Sequence, residues 1–554
     1  MSSESCSWYE NPVGHKPVRV RLPLLVRNTK ALIFSAFCVF SQFKLSATMR
    51  LAAVFRLVCM ALSFWKTWAK ADRFVVISGL ALLALCGLGY TCVAYLGLEN
   101  VVSWNVLSEL VSLPGTLYSF TDGLLTYPIT GRIQTVTNQF AVSPMQVDPA
   151  MATLTVGLLC VALSYALAAI CRLPALRYRM AMALFVLLLA VCRLEVLGLP
   201  GGGRWPFLTL VVLFGGVSYY FHAFQTETPL LTRLLIFSGL FAVAAMGISL
   251  GSTVSHPAQM LLSYALPGLV IISTLFIAYI AIDIVGGLVW LTSVSRANGR
   301  PLGAVNFIFI SVLYLLNLLL IWLRNTKTVD WNVLTISPFL ILLVSIGLGL
   351  WGFRQVAEQR NLLSFSQAGA GLYIGLAALT ILTVAYAFMT ANDPLIEVFE
   401  DAIVYSHFVM GFLMVLYTLT NFLPIYNQQL PVHRVLYKAR LADLPLFRLA
   451  GVIGLVGISI STGHFTVRQG YAACLSALGD AYQVEDQDDL AQTYYQESVA
   501  QEYQQHKANY ALASMALNRN DPTTAALFFS QALRKQPSPQ AFIGLCSTYQ
   551  QTNL

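Results

Sequence analysis

The stretch GLYIGLAALTILTVAYAFMT, residues 371–390, runs for twenty residues without a charged side chain. At about 1.5 Å of rise per helical residue it extends roughly 30 Å, the thickness of bilayer hydrocarbon. On either side, further apolar runs are read at 74–97, 151–171, 180–198, 205–222, 234–254, 265–292, 304–323, 333–353, 402–424 and 447–465, which makes eleven expected spans. The last is the weakest, because Gly451, Gly454, Gly457 and Gly463 dilute it. The expected fold class is all-α, a polytopic membrane bundle over 73–466 followed by a different kind of helical tail.

Composition points the same way. The 554 residues are 57% hydrophobic and 10% charged, against about 25% charged in a typical soluble protein. Such a chain is not a soluble enzyme, a nucleic-acid-binding protein or a disulfide-stapled secreted module; its first partner is the lipid bilayer. The net charge of +8 is read as topology. With the segment before Phe74 placed inside, the inner loops carry twelve Lys and Arg and the outer loops four (Arg132, Arg204, Arg324, Lys327), the bias expected of a cytoplasmic face. That places the tail outside the cytoplasmic membrane.

Two other regions stand apart. Residues 1–72 are basic and only modestly apolar, and the part from Met49 to Trp65 reads as an interfacial helix; a true start at Met49 or Met60 is the competing reading. Residues 98–150 read as an outer loop, too polar to span, with Val101–Leu113 as a short interfacial helix.

From Arg468 the composition shifts to Gln, Asp, Glu, Tyr and Ala, and a period of thirty-four emerges. Leu478, Gly479, Ala491, Tyr495 and Ser498 are matched by Leu512, Ala513, Ala525, Phe529 and Ala532, with Tyr482 and Pro537 at further characteristic places. Small residues mark where two helices cross closely, and aromatics fill the space beside them. This pattern resembles the tetratricopeptide repeat. The resemblance implies units at 472–505 and 506–539 and a partial one at 540–554, binding an unknown protein or peptide partner. Because the chain stops within a repeat, it is expected to be part of a longer protein; a self-capping half-repeat is the alternative.

Ionisable groups inside a membrane are functional candidates by default. Asp283 lies inside the 265–292 run, read either as a proton or cation site or as a carboxyl bonded to a neighbouring helix. His407, in the 402–424 run, reads as a bond between helices. Arg193 and Glu195, two apart on a helix, are not expected to pair. Asp393, Glu397 and Asp401 recur every fourth residue and share one helical face, where they would hold a cation; the favoured reading makes Asp393 an N-cap before Pro394. The sequence contains no GxxxxGK[ST], HExxH or CxxC, and no cofactor, metal or catalytic residue is assigned.

Two broader resemblances follow. Multi-pass spans with a tetratricopeptide tail are similar in architecture to bacterial O-antigen ligases and polymerases, though the large outer loop here comes first and holds only Arg132. The runs NDPLIE at 392–397, EDAIVYSH at 400–407, LGDAY at 478–482 and NYALA at 509–513 resemble multi-pass proteins that accompany exosortase-type sorting systems, some continuing into a VIT-type domain. That resemblance implies an envelope-associated accessory role. The expected function is a membrane scaffold presenting its repeats outside the cytoplasm, with a transporter or glycan-modifying enzyme as the alternative.

Overall fold

A computed structural model describes residues 69–552, apart from 295, 298–299, 302, 327, 329–333, 360–363, 429, 438–442 and 462–464. Most of the basic segment expected over 1–72 lies outside them. The bundle comprises α1 (Lys70–Leu96), α2 (Pro149–Ile170), α3 (Ala175–Val191), α4 (Trp205–Ala223), α5 (Leu230–Gly251), α6 (Pro257–Ile280), α7 (Asp283–Val294), α8 (Gly303–Asn325), α9 (Pro338–Gln359), α10 (Ala370–Met389), α11 (Asp393–Asn427) and α12 (Asp443–Ser461). Among the described residues, ten helices are long and apolar enough to cross a membrane, with α6 and α7 forming one broken span. This is a membrane protein.

The expected span at 180–198 is instead the 17-residue α3, about 26 Å long and short of a full crossing by length alone. Its surroundings nonetheless carry it from one end of the bundle to the other. Arg172, before it, donates to the Thr228 carbonyl at 3.1 Å. Leu197, after it, accepts from Thr253 N at 3.2 Å, and residues 228 and 253 flank opposite ends of α5. The helix has already ended when the chain reaches Arg193, which adopts φ 46°. Helical spacing therefore no longer applies, and Arg193 and Glu195 do pair, at 3.4 Å on the exposed surface.

The run that opened the sequence reading becomes the centre of the bundle. α10 is apolar on every face and is buried among α1, α2 and α6, as an all-round apolar helix must be. Its contact with α2 is set by Gly375, where an added Cβ would lie 2.7 Å from the Ala162 carbonyl and 2.8 Å from Ala166 N. Small residues of this kind let helix backbones approach closely in a membrane, where apolar burial from water no longer drives association.

Residues 98–150 overturn an expectation. In place of an interfacial helix at Val101–Leu113, the chain forms an antiparallel hairpin of β1 (Trp104–Asp122) and β2 (Leu125–Val142). At roughly 3.3 Å per residue it is about 60 Å long. The segment is rich in Val, Leu, Ile and Thr, which suit a pleated surface. Asp122–Gly123 opens a two-residue turn in which Gly123 takes φ 60°, a turn signal the helical reading passed over. Phe120 stacks on Tyr127 near the tip and Trp104 meets Phe140 edge-on at the base.

The tail forms α13 (Phe465–Val484), α14 (Asp488–Gln501), α15 (His506–Asn518), α16 (Pro522–Lys535) and α17 (Pro539–Thr552). The sequence period of thirty-four recurs in its backbone. Asp486 at φ 56° and Asn520 at φ 57° turn the chain between paired helices, and Gln487 N to Tyr482 O is repeated by Asp521 N to Ala516 O, each at 2.9 Å. The Tyr495 ring lies over Gly479, where a Cβ would come within 2.7 Å, and the Phe529 ring lies over Gly544, within 2.6 Å.

Gly375→Ala is expected to destabilise the bundle by about 1–3 kcal/mol through overpacking against backbone that cannot yield locally. Gly347→Ala, with nothing within 4 Å of its Cβ, should be neutral or slightly stabilising. Thermal unfolding of the two purified variants side by side checks this.

Candidate functional site

The acidic face of α11 is real, but Asp393 does not cap its own helix. Asn392 is the N-cap, its side chain accepting from Leu395 N at 3.3 Å. Asp393 is thereby the first helical residue, with its carboxylate free to reach elsewhere. Its two oxygens accept from His506 N at 2.8 Å and Lys507 N at 3.0 Å, so Asp393 caps α15 rather than its own helix. One turn on, Glu397 accepts from Gln469 Nε2 at 2.6 Å and from Lys535 Nζ at 2.8 and 3.0 Å. After another turn, Asp401 accepts from Thr466 Oγ1 at 3.1 Å. The cation on this face is the chain's own Lys535. Burial works against that ammonium, yet Glu397 holds its pKa above the usual value.

The tail returns the same interaction. Glu485, just beyond α13, accepts from Ser255 N at 2.9 Å and His256 N at 2.5 Å at the entrance to α6. Neither His256, the N-cap of α6, nor Gln505, the N-cap of α15, makes a side-chain cap of its own. Each of these helices therefore receives its terminal acceptor from the other unit, satisfying donors a helix start leaves open and placing negative charge at the positive end of its dipole.

Between these two caps the joint is closed by specific polar contacts. Tyr264 and Tyr482 share a hydroxyl–hydroxyl bond of 2.9 Å, and Asn392 Nδ2 donates to Ala473 O at 2.9 Å. The hairpin base joins in: Gln483 donates to Met145 O at 2.8 Å and Tyr510 to Ser143 O at 3.3 Å. At the centre, Lys507 and Asp480 form an ion pair that is wholly buried. Tyr495 adds a bond to Asp480 at 2.7 Å. Burial raises the Asp480 pKa, and the Lys507 charge opposes that rise. A pair so deeply desolvated adds little net stability but makes any other register costly, since separating it strands two buried charges.

The residues read from the sequence as repeat positions lie in and around this joint. Gly479, Ala491, Tyr495, Leu512, Ala513, Ala525, Phe529 and Ala532 are buried; Leu478 and Tyr482 are half-buried; Pro537 is exposed in the link before α17. Asp283 begins α7 at the break after α6. Tyr437 donates to its carboxylate at 3.2 Å, and Gly349 and Gly352 leave the space it occupies. His407 is fully buried, with Nε2 at 2.6 Å from Ser345 Oγ and Nδ1 at 2.8 Å from Ile403 O. Both side chains thus hold contacts inside the bundle, whereas Glu397 and Asp401 lie at the joint. Sequence reasoning missed Glu485, Lys507, Asp480 and Lys535, whose partners lie as far as 230 residues away and leave no local signal. Among the described residues no three His, Cys, Asp or Glu side chains gather as a metal-binding group.

The chain matches no protein-family model, no curated protein and no solved structure.

Asp393→Ala and Glu485→Ala should each cost about 0.5–2 kcal/mol, as lost helix caps do, and both should speed proteolytic cleavage after Arg468 in the intact membrane protein. Unchanged cleavage rates in the double variant would show that the caps do not hold the joint.

His506 supplies a pH dependence. Burial lowers its pKa from 6.5 to about 4. The unfolded tail takes up a proton near pH 6.5 that the folded tail refuses until about 4, so stability is lost as pH falls through that window, by up to roughly 3 kcal/mol. Asp480, whose pKa is raised, contributes with the opposite sign. His506→Gln leaves Asp480 in place, so melting curves of parent and variant between pH 7 and 4 isolate the histidine; the variant should show the flatter dependence.

Proposed function

We propose that this chain is a multi-pass scaffold of a bacterial cytoplasmic membrane, with its helical tail and β-hairpin presented together on the extracytoplasmic side as an assembly platform. The observation that carries the reading is the reciprocal capping of α15 by Asp393 and α6 by Glu485. A tail held by its helix starts at one end of a membrane bundle is positioned like a built part, not tethered like a flexible domain. The bias of Lys and Arg toward the opposite loops supports an outside location.

The tail resembles tetratricopeptide repeats in its thirty-four-residue period and its small-residue and aromatic positions. In such repeats successive first helices line the groove that holds a peptide. Here α15 is almost entirely buried from His506 to Ala516, and α13 packs on α6 and α11. We therefore assign partner binding to the surfaces left open, chiefly the hairpin, whose Leu110, Val136, Tyr118 and Ile129 are exposed. The runs at 392–397 and 400–407 support a role beside exosortase-type sorting systems, where substrates are envelope proteins. A transport reading draws on one observation, the acid Asp283 at a broken span.

A compartment-sensitive reporter fused after Thr552 should be active only outside the cytoplasm. Leu110→Asp with Val136→Asp should abolish co-purification of an envelope partner while the protein accumulates normally. If Asp283→Asn removes a cellular phenotype that the hairpin variant leaves intact, the transport reading replaces the scaffold.

A further inference from the structure

At the end of the bundle away from the tail, the start of α1, the end of α2 and the start of α5 converge. Arg73 comes from the first turn of α1, Arg172 follows α2, and Arg233 lies in the first turn of α5. Arg233 is 1% exposed. Its Nη1 donates to Ala168 O at 2.9 Å, while Nε and Nη2 have no hydrogen-bond partner among the described residues. The charge of Arg172 repels it and that of Asp72 attracts it. Lys70 adds a further positive charge nearby in sequence.

A guanidinium with two buried, unanswered nitrogens and a like charge beside it is costly in a membrane protein. Its planar fork matches the oxygens of a phosphate. We infer that this end of the bundle binds a phosphate group, with Arg233 at the back of the site and the half-buried Arg172 and Arg73 toward its mouth. The group belongs either to an anionic phospholipid headgroup or to free inorganic phosphate. Basic pockets between helices at the positively biased face of a membrane protein suit such headgroups. The inference stands independently of the scaffold reading, since it uses no residue of the tail or hairpin. Asp72 is the competing anion, and it separates this inference from a simple internal ion pair.

The test uses the full chain in a neutral detergent and follows its thermal unfolding as phosphatidylglycerol, phosphatidylcholine or inorganic phosphate is added. Phosphatidylglycerol should raise the melting temperature where phosphatidylcholine does not. Arg172→Gln should weaken that response on the order of fivefold, the effect of one basic residue near an anionic surface. Arg354→Gln, which removes an arginine already paired with Glu358, should leave it unchanged, and Asp72→Asn should strengthen it. A response to inorganic phosphate as well assigns the site to the phosphate group alone; a response to lipid only assigns it to the headgroup. The inference is overturned if phosphatidylglycerol and phosphatidylcholine act alike and phosphate does nothing. It is equally overturned if Arg354→Gln weakens the response as much as Arg172→Gln, or if Asp72→Asn abolishes it. Arg233→Gln is informative only where it folds, and Arg172→Gln carries the test otherwise.

Discussion

A carboxylate set against the start of a helix from another part of the chain is the interaction on which the rest of this architecture depends. Asp393 at α15 and Glu485 at α6 act in opposite directions across one joint. Each meets backbone donors that their own helix leaves open, and each adds a favourable charge–dipole term. Two such contacts, running both ways, determine where the tail sits as well as that it is attached. The acid stripe Asp393, Glu397 and Asp401 then becomes a ladder read successively by α15, by Lys535 with Gln469, and by Thr466.

That placement has consequences for what the tail can do. With α13 and α15 turned toward the bundle, the hydrophobic cluster containing Tyr495, Tyr510 and Phe529 is continuous with Val101, Val102 and Met145 at the hairpin base. Tail and hairpin therefore share a core. The buried Lys507–Asp480 pair sits inside this arrangement, where it favours one register over others more than it adds stability. An isolated two-stranded hairpin is marginal in water, so anchoring the base of β1 and β2 in that core is what gives them a defined position.

Within the bundle, polar side chains act as joints between helices. His407 links α11 to α9 through Ser345, and Asp283 links α7 to Tyr437. Close helix contacts such as that at Gly375 supply dispersion where lipid offers no hydrophobic drive. Arg233 departs from this pattern, because its neighbours leave part of its hydrogen-bonding capacity unanswered.

Much of the bundle was legible in the amino-acid sequence because spanning is a local property. A helix in hydrocarbon satisfies its own backbone, so length and apolar character suffice to mark a span such as the uncharged run at 371–390. The period of thirty-four was legible for a similar reason: Gly479 and Tyr495 touch within one helix pair. The stripe on α11 was also visible as a face. What it faced was not, since a spacing of four says which side chains stand together and nothing about which distant helix start will meet them. The hairpin was missed where short-range signals competed, and the Arg193–Glu195 pair was missed because a helix ended earlier than its apolar run. The spans of the bundle and the period of the tail were written into the chain locally, through contacts spanning a few tens of residues. The joint emerged only on folding, because its two caps bring together acceptors and donors 113 and 230 residues apart.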